Sequence, residues 1–196
     1  MIKDFPFEVQ QWPGELEWFA SKLLYFGIRR LMTIGVHNGG VEWYLAKYYH
    51  EHKAFLHIYG VDVRYPSELR ETEKLIYRDF PNVRFFFDQC TSESAFARMK
   101  PGDVEAIFVD GNHAFEAVNA DVRNAVRLAS RLVFVHDVIR TEHNKHTWGC
   151  ADAWDLMKAE YPHESFSERP DFDKGIGVLI LPGARGKPCP TLQSTS

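Results

Sequence analysis

Two acids in the sequence each stand close to a histidine at the end of an apolar run. The run IFVDGNH contains Asp110 and His113, and the run LVFVHD ends on His136 and Asp137. Carboxylates can bind a divalent cation, and a histidine with an unperturbed pKa of about 6.5 can accept a proton near neutral pH. The two pairs are therefore either two unrelated loop ends or two halves of one site.

The segments around these pairs alternate between two patterns. Apolar runs dense in β-branched or aromatic residues predict strands, and the segments between them have the apolar spacing of helices. This alternation is typical of a parallel sheet covered on both faces. The predicted strands are 31–36, 55–61, 83–87, 104–109, 132–135 and 176–181, and the predicted helices are 13–26, 41–50, 68–80, 92–99, 115–129 and 151–161. Residues 163–167 and 175–181 are expected to form an antiparallel hairpin at one sheet edge.

The length of 196 residues suits one domain with a single core. We assign residues 1–181 to this domain, including its N-terminal helical segment. Residues 182–196 are rich in Gly, Pro, Ser and Thr and are expected to form a disordered tail.

Charge and hydropathy exclude several classes of partner. The chain is 45% hydrophobic and 26% charged, with a formal net charge of −4, so it offers no basic field for nucleic acid. No apolar run reaches the roughly 20 residues that span a bilayer, and the first residues do not resemble a signal peptide. We therefore expect a cytoplasmic protein without membrane partners. Its three cysteines, Cys90, Cys150 and Cys189, follow no metal or disulfide spacing and are expected to be reduced.

A glycine-rich loop follows the first predicted strand. In LMTIGVHNGGVEW, Gly35, His37 and Gly39 lie where a strand turns into a helix, and glycines there allow a ligand to approach the backbone. The next strand ends near Asp62, and an acid at that position can accept both hydroxyls of a ribose. Together these features predict a nucleoside site. The place of the second glycine of a dinucleotide fingerprint is filled by His37, which disfavours an NAD enzyme.

Five segments together resemble a known family. IGVHNGGVEWYLA, YGVDV, IFVDGNHAFEAVNADVRNA, LVFVHDV and GIGVLIL are similar to class I S-adenosylmethionine-dependent methyltransferases, in the branch of macrolide-sugar O-methyltransferases and cephalosporin hydroxylase-like proteins. The resemblance covers about residues 30–181. It implies a three-layer, Rossmann-like α/β fold with a seven-stranded, mostly parallel sheet and a reversed C-terminal edge strand.

The resemblance also implies roles for individual residues. Gly35 and Gly39, with His37 between them, would line the methionine side of S-adenosylmethionine, and Asp62 would hold the ribose. The adenine would be approached by Asp88 and Gln89. Asp110 would face the amino-acid end of the cofactor and, with Asp137, bind a metal in metal-dependent members.

Two positions depart from the family. Thr33 stands where the family usually has an acid, which alters one anchor for the methionine end. His136 stands where some relatives have a carboxylate, which leaves the metal open. Two carboxylates suit Mg²⁺, whereas a site that includes His136 or His113 favours Mn²⁺, Fe²⁺ or Zn²⁺.

Methyl transfer to a hydroxyl requires an aligned nucleophile and removal of its proton. His113 is the first candidate for this base, and His136 is the competing candidate, as base or as metal ligand. The loop 139–154 is expected to cover the acceptor, with contacts from His143, His146 and Trp148.

The leading hypothesis is an enzyme that methylates a hydroxyl of a small molecule, with or without a divalent metal. One alternative is a nucleoside-binding protein without methyl transfer, and a weaker one is an NAD-linked oxidoreductase. The aromatic N-terminal segment offers a surface for a homodimer.

Overall fold

The structure, a computed structural model, describes residues 5–7, 9–142, 145–171 and 174–186. His143, Cys189 and residues 187–196 of the predicted tail lie outside the described residues, so the expectations for them stay predictions.

Seven strands form one sheet in the order β3-β2-β1-β4-β5-β7-β6. Neighbours from β3 to β5 pair in parallel, and β7 runs antiparallel to both β5 and β6. The predicted mostly parallel sheet with a reversed strand in a C-terminal edge hairpin is confirmed, and within that hairpin β6 is the outermost strand. The strands are β1 (Arg30–Ile34), β2 (Leu56–Asp62), β3 (Val83–Gln89), β4 (Val104–Val109), β5 (Ala129–Ile139), β6 (His163–Phe166) and β7 (Lys174–Ile180).

In the described part of the chain, six α-helices connect or precede the strands, as the apolar spacing predicts. Their observed ends coincide with the predicted ones or differ from them by at most three residues. The helices are α1 (Pro13–Tyr25), α2 (Gly40–Glu51), α3 (Ser67–Asp79), α4 (Ser92–Ala97), α5 (Phe115–Leu128) and α6 (Trp148–Lys158).

The sheet separates two hydrophobic clusters. Successive side chains of a strand point to opposite faces, so Leu31 belongs to the cluster that contains residues of α1, α2 and α3, while Met32 belongs to the cluster that contains residues of α4, α5 and α6. The alternation of strands and helices thus produces the three layers that the sequence predicts. Among the described residues, no helix combines the length and the apolar character needed to cross a membrane.

Strand β5 is longer than predicted, at Ala129–Ile139. It begins directly after α5, and its pairing with β7 is irregular between His136 and Ile139. This irregularity lies where Asp137 adopts a left-handed backbone conformation with φ of 59°. Such a local bulge changes the direction of a side chain, and the bulge here lies at the end of β5 that carries the predicted acid.

Candidate functional site

A cleft of about 670 Å³ lies at the carboxyl ends of β1 to β4. Its wall comprises the residues that follow these four strands, part of α5 and the segment before α1. Because the ends of parallel strands meet at one edge of the sheet, residues far apart in the sequence are neighbours here. Of the predicted site residues, five line the cleft: Gly35, His37, Asp62, Asp110 and His113.

Gly35 brings the backbones of β1 and β4 close together. A Cβ atom at Gly35 would lie 2.0 Å from the carbonyl oxygen of Asp110, and the φ of Gly35 is +86°. Both facts require glycine, because a side chain would clash and the left-handed region disfavours residues with a Cβ. The loop after β1 therefore presents bare backbone to the cleft, as the sequence predicts.

Asp62 is held at the end of β2 by two backbone donors. The N–H of His37 donates to Asp62 Oδ2 at 2.9 Å, and the N–H of Arg64 donates to Oδ1 at 2.9 Å. His37 has a φ of 52°, so the turn after β1 is shaped by a non-glycine residue in the left-handed region. Each oxygen of Asp62 retains a lone pair, which suits a pair of neighbouring hydroxyls.

Gly39 lies beside the cleft without lining it. A Cβ there would meet Thr72 Cγ2 at 2.7 Å and Leu69 Cδ1 at 2.9 Å, and its φ is +83°. This glycine allows α3 to pack against the loop before α2. The structure thus gives Gly39 a packing contact, and its predicted cofactor contact stays a prediction.

Asp88 and Gln89 lie at the exposed end of β3 and do not line the cleft. Asp88 forms an ion pair with Arg98, and Gln89 Nε2 donates to the carbonyl of Val63 at 3.2 Å. The cleft is lined instead by the next residues of this loop, Cys90, Thr91 and Ser92. The predicted contacts of Asp88 and Gln89 with the adenine stay predictions.

Asp110 connects the N-terminal segment to β5. Its Oδ2 accepts a hydrogen bond from Gln11 Nε2 at 2.7 Å, and its Oδ1 lies 3.0 Å from His136 Nδ1. A carboxylate only accepts, so His136 donates from Nδ1. Burial favours the neutral acid, but the positive charge of His136 and the contacts with both histidines outweigh burial and lower the pKa of Asp110 to about 2.

His136 is 3% exposed and does not line the cleft. Burial alone lowers the pKa of His136, but the carboxylates of Asp110 and Asp137 outweigh burial and raise the pKa to about 9. Its Nε2 is buried and makes no hydrogen bond within the described residues. This side chain is therefore an internal cation between two acids. Nothing here brings it to a substrate, and its predicted role as base or ligand stays a prediction.

Asp137 is buried behind the cleft wall in a left-handed backbone conformation. Its Oδ1 lies 3.5 Å from His136 Nδ1, and its Oδ2 lies 3.6 Å from His113 Nε2. Burial raises its pKa, and the nearby histidines only partly offset this effect. Non-glycine residues with positive φ often occur at functional sites because the surrounding structure must hold them.

Of the two histidines His113 and His136, only His113 lines the cleft. Its Nε2 lies 3.8 Å from Asp110 Oδ1 and 3.6 Å from Asp137 Oδ2, and Asp110 raises its pKa. The backbone at His113 packs tightly against α6, because a Cβ at Gly149 would lie 2.3 Å from the His113 carbonyl oxygen. The structure thus places an imidazole, held by two acids, at the cleft surface.

Two overlapping groups of donors have the composition of a cation site. In the first, Asp110, His136 and Asp137 bring ligand atoms within 4.8 Å of one another, and in the second His113, Asp137 and Cys150 do so. In the first group His136 Nδ1 already donates its proton in a hydrogen bond to Asp110 Oδ1. These residues fit a divalent cation provided that the cation replaces this proton.

The loop after β5 lies apart from the cleft wall. His146 and Trp148 do not line the cleft, and Trp148 Nε1 donates to the carbonyl of Thr141 at 3.0 Å. Within the described part of this loop, no residue supports the predicted acceptor contact.

Burial strongly raises the pKa of the Cys150 thiol, so this cysteine is unreactive.

Two buried acids near the site, Glu42 and Glu15, were not predicted from the sequence. Glu42 of α2 is 1% exposed, and burial raises its pKa to about 7, with a partial offset from the nearby hydroxyl of Thr33. Glu15 of α1 is fully buried and accepts the N–H of Gly175 at 3.0 Å. A signal was present for both, because each acid falls on the apolar face of its helix.

Gln11 and Asp121 of the cleft wall were not predicted from the sequence either. Gln11 lies before the first predicted helix, where no periodicity marks it. Asp121 of α5 is buried and accepts a hydrogen bond from Ser92 Oγ at 2.7 Å. Burial raises the pKa of Asp121, with Ser92 opposing this effect. As with the other two acids, the signal was an acid on the apolar face of a helix.

The fold and cleft agree with the family comparison. A family described as "Methyltransferase domain" matches residues 32–138, which include most of β1, all of β2 to β4 and most of β5. The chain therefore belongs to this methyltransferase family. Comparison with curated protein sequences gives no match.

Solved structures of methyltransferases share the fold. An O-methyltransferase from Bacillus cereus, in complex with SAH, is 14% identical with a TM-score of 0.62, and the alignment covers 88% of this chain and 82% of that chain. The O-methyltransferase TomG from Streptomyces achromogenes, involved in tomaymycin synthesis and in complex with SAM, is 13% identical with a TM-score of 0.61, covering 91% and 83%. The resemblance to class I methyltransferases is thereby confirmed, and the finer branch stays a prediction.

Proposed function

We propose that this methyltransferase transfers the methyl group of S-adenosylmethionine to a hydroxyl group of a small molecule. The observation that carries the proposal is that Gly35, Asp62, Asp110 and His113 line one cleft at the tips of neighbouring strands. The two solved methyltransferases described above were crystallised with SAH and SAM, which supports this choice of cofactor.

The cleft offers a distinct contact for each part of the cofactor. The bare backbone at Gly35 accommodates the methionine end, and the two oxygens of Asp62 accept the ribose hydroxyls. Asp110 is ionised because its pKa is about 2, so it can accept a hydrogen bond from the cofactor's ammonium group. When bound, S-adenosylmethionine would supply a methyl group on a positively charged sulfur. The sulfur leaves as a neutral thioether, so the leaving group needs no acid to protonate it.

The protein's remaining task is to hold the acceptor hydroxyl and take its proton. His113 suits this task because it reaches the cleft and Asp110 raises its pKa. Asp137, 3.6 Å away, stabilises the imidazolium that forms. Catalysis therefore relies on placement of His113 by α6 and on the two acids behind it.

A divalent cation is the second part of the proposal. It would be held by Asp110, His136 and Asp137 and would lower the pKa of a bound hydroxyl. Because binding must displace the Nδ1 proton of His136, cation affinity should increase with pH. Calorimetry with Mg²⁺ and Mn²⁺ in two buffers of different ionisation enthalpy measures the released proton directly.

Calorimetry with S-adenosylhomocysteine tests the cofactor assignment. We expect binding by the wild-type protein, loss of binding in Asp62→Ala and retained binding in Asp137→Ala. Loss of metal-dependent activity in Asp137→Ala would support the assignment of Asp62 to the ribose and of Asp137 to the metal. Absence of binding at millimolar ligand, with and without Mg²⁺, would refute the proposal.

Activity on a panel of hydroxylated small molecules separates the two functions. Formation of S-adenosylhomocysteine with any acceptor supports the transferase. Cofactor binding without turnover across the panel would favour a binding protein that retains the nucleoside pocket. The family match already favours a methyltransferase over an NAD-linked oxidoreductase.

A further inference from the structure

Strand β3 lies at one edge of the sheet, and within the described residues no strand pairs with its outer side. It spans Val83–Gln89, contains three consecutive phenylalanines and has neither proline nor lysine. The strand at the opposite edge, β6, has only four residues. Proteins normally shorten, cover or charge an edge strand, because its unpaired N–H and C=O groups can pair with another chain. A long edge strand of this composition is therefore a candidate contact surface.

Two hydrogen bonds show which backbone groups of β3 point outwards. The N–H of Leu56, on β2, donates to the carbonyl of Asn82 at 3.4 Å, directly before β3. Alternate residues of a parallel strand bond to the same neighbour, so Phe85 and Phe87 direct their N–H and C=O groups away from β2. The hydroxyl of Tyr77, on α3, donates to the carbonyl of Phe85 at 2.8 Å, which agrees with this direction. The outer edge of β3 thus offers two residues to a further strand.

One face of the sheet is uncovered beside this edge. Tyr59 of β2 and Phe86 of β3 are 38% and 48% exposed, and their rings stack with centroids 5.5 Å apart. Neither side chain belongs to the hydrophobic clusters on the two sides of the sheet. A parallel sheet is normally covered by helices on both faces, and exposed apolar side chains that lie together are typical of a contact surface.

The exposed side chains of β3 follow a pattern that is complementary to itself. Arg84 lies two residues before Phe86 and Asp88 two residues after it, and alternate residues of a strand share one face. When two copies of β3 run antiparallel about a two-fold axis at Phe86, Arg84 of each copy lies opposite Asp88 of the other. Phe85 then lies opposite Phe87 of the second copy, and their outward N–H and C=O groups exchange two hydrogen bonds. Side-chain charge and backbone direction therefore specify the same register.

We infer that two copies of this chain associate through β3 of each, in antiparallel pairing centred on Phe86, and so join their sheets into one. The inference is independent of the proposed function. A two-fold contact uses the same surface twice, so both ion pairs and both pairs of backbone hydrogen bonds form together. This surface differs from the aromatic N-terminal segment, for which a homodimer contact stays a prediction.

Few contacts within the chain oppose this pairing. The hydrogen bond from Tyr77 to the carbonyl of Phe85 must open, and the side chain of Tyr77 is half-exposed. Asp88 is paired with Arg98, but both side chains are more than half exposed, and an exposed ion pair contributes little to stability. Exchanging Arg98 for Arg84 of the second copy is therefore inexpensive.

Sedimentation velocity of the full chain at micromolar to millimolar concentration tests for the dimer. We expect the wild-type protein to sediment as a dimer. Phe86→Lys places two like charges at the two-fold axis, so its dissociation constant should be at least tenfold higher. Leu156→Lys is the matched control, because Leu156 lies on α6 and is also 48% exposed. The control should associate like the wild-type protein.

Exchange of the two charges tests the register. Arg84→Asp leaves acids facing acids and Asp88→Arg leaves arginines facing arginines, so each single variant should dissociate at least tenfold more readily. An equimolar mixture of the two should form a heterodimer, because every pair across the contact then joins an acid to an arginine. The double variant Arg84→Asp/Asp88→Arg should recover affinity for the same reason. These substitutions alter exposed side chains, so they keep the inference testable if Phe86→Lys does not fold.

A wild-type protein that stays monomeric throughout this concentration range would overturn the inference and leave the proposed function standing. A dimer that Phe86→Lys weakens no more than Leu156→Lys does would also overturn it. So would a mixture of the two charge variants that associates no better than either variant alone.

Discussion

Gln11 Nε2 donates a hydrogen bond to Asp110 Oδ2 at 2.7 Å, across 99 positions of the sequence. This contact fixes the segment before α1 to the tip of β4. Gln11→Met removes the donor at similar volume, and the unpaired buried carboxylate oxygen should cost about 1–3 kcal/mol of unfolding free energy. Urea unfolding at pH 8, followed by fluorescence, measures this cost.

A second variant at the same position checks the sign of the interaction. Gln11→Glu places a carboxyl group against Asp110, so it should destabilise more than Gln11→Met at pH 8 and recover part of the loss at pH 5. If Gln11→Met unfolds at the wild-type urea concentration, the contact does not fix the N-terminal segment.

The close approach of Gly35 to Asp110 gives a second prediction. Gly35→Ala should cost about 3 kcal/mol, because a left-handed alanine costs about 1–2 kcal/mol and the clash with the Asp110 carbonyl adds a similar amount. Gly102 provides a matched control, since its φ is +87° and a Cβ there would meet nothing within 4 Å. Gly102→Ala should therefore show the backbone cost alone.

Thermal and urea unfolding of both variants separate the backbone cost from the cost of the clash with the Asp110 carbonyl. Gly35→Ala should also weaken binding of S-adenosylhomocysteine, whereas Gly102→Ala, which lies outside the cleft, should not. Equal destabilisation by the two substitutions would show that the strands can separate at little cost.

The sequence predicted the strand tips of the site because its patterns are local. Alternating strands and helices define a parallel sheet, and acids at the ends of three strands, Asp62, Asp110 and Asp137, then share one edge. The bounds of β5 were less predictable: Arg131 and the pair His136 and Asp137 interrupt the apolar run, although the strand continues through them.

The missed residues depend on tertiary contacts that no local pattern describes. Gln11 is identified as a site residue only by the distant Asp110. Asp121 and Glu42 interrupt apolar helix faces, yet their burial depends on packing against α4 and β1. An acid on the apolar face of a predicted helix is thus a usable signal for a buried residue near the site, although the hydrophobic periodicity alone does not identify it.

Glu42 makes stability depend on pH in the acid range. Its pKa is about 7 in the folded protein, against an ordinary value of 4.5, so the folded state holds its proton more tightly. The stability of the protein is then greatest below pH 4.5 with respect to this group and decreases as pH rises towards 7. A shift of this size corresponds to about 3 kcal/mol. Glu42→Gln should remove this slope in urea unfolding measured from pH 4.5 to 7.

His136 gives a slope in a higher range. Its folded pKa is about 9, against an ordinary value of 6.5, so its contribution to stability is complete below pH 6.5 and lost as pH rises through 9. His136→Asn keeps a neutral donor near Asp110 and should remove most of the slope between pH 6.5 and 9 in metal-free buffer. His113, whose pKa is also raised, should account for a smaller remainder. An alkaline slope unchanged in His136→Asn would contradict the proposed charge on this residue.

His113 should be required for transfer and not for cofactor binding. His113→Gln keeps a polar side chain at the cleft surface but removes the base, so the transfer rate should fall by roughly 10² to 10⁴-fold while affinity for S-adenosylhomocysteine changes little. Because Asp110 raises the pKa of His113, the wild-type rate should increase with pH through a value above 6.5, and the variant should lose this dependence. His146→Gln serves as a control, since His146 is an exposed histidine away from the cleft wall. If His113→Gln retains the wild-type rate and pH profile, a group other than His113 accepts the proton of the acceptor hydroxyl.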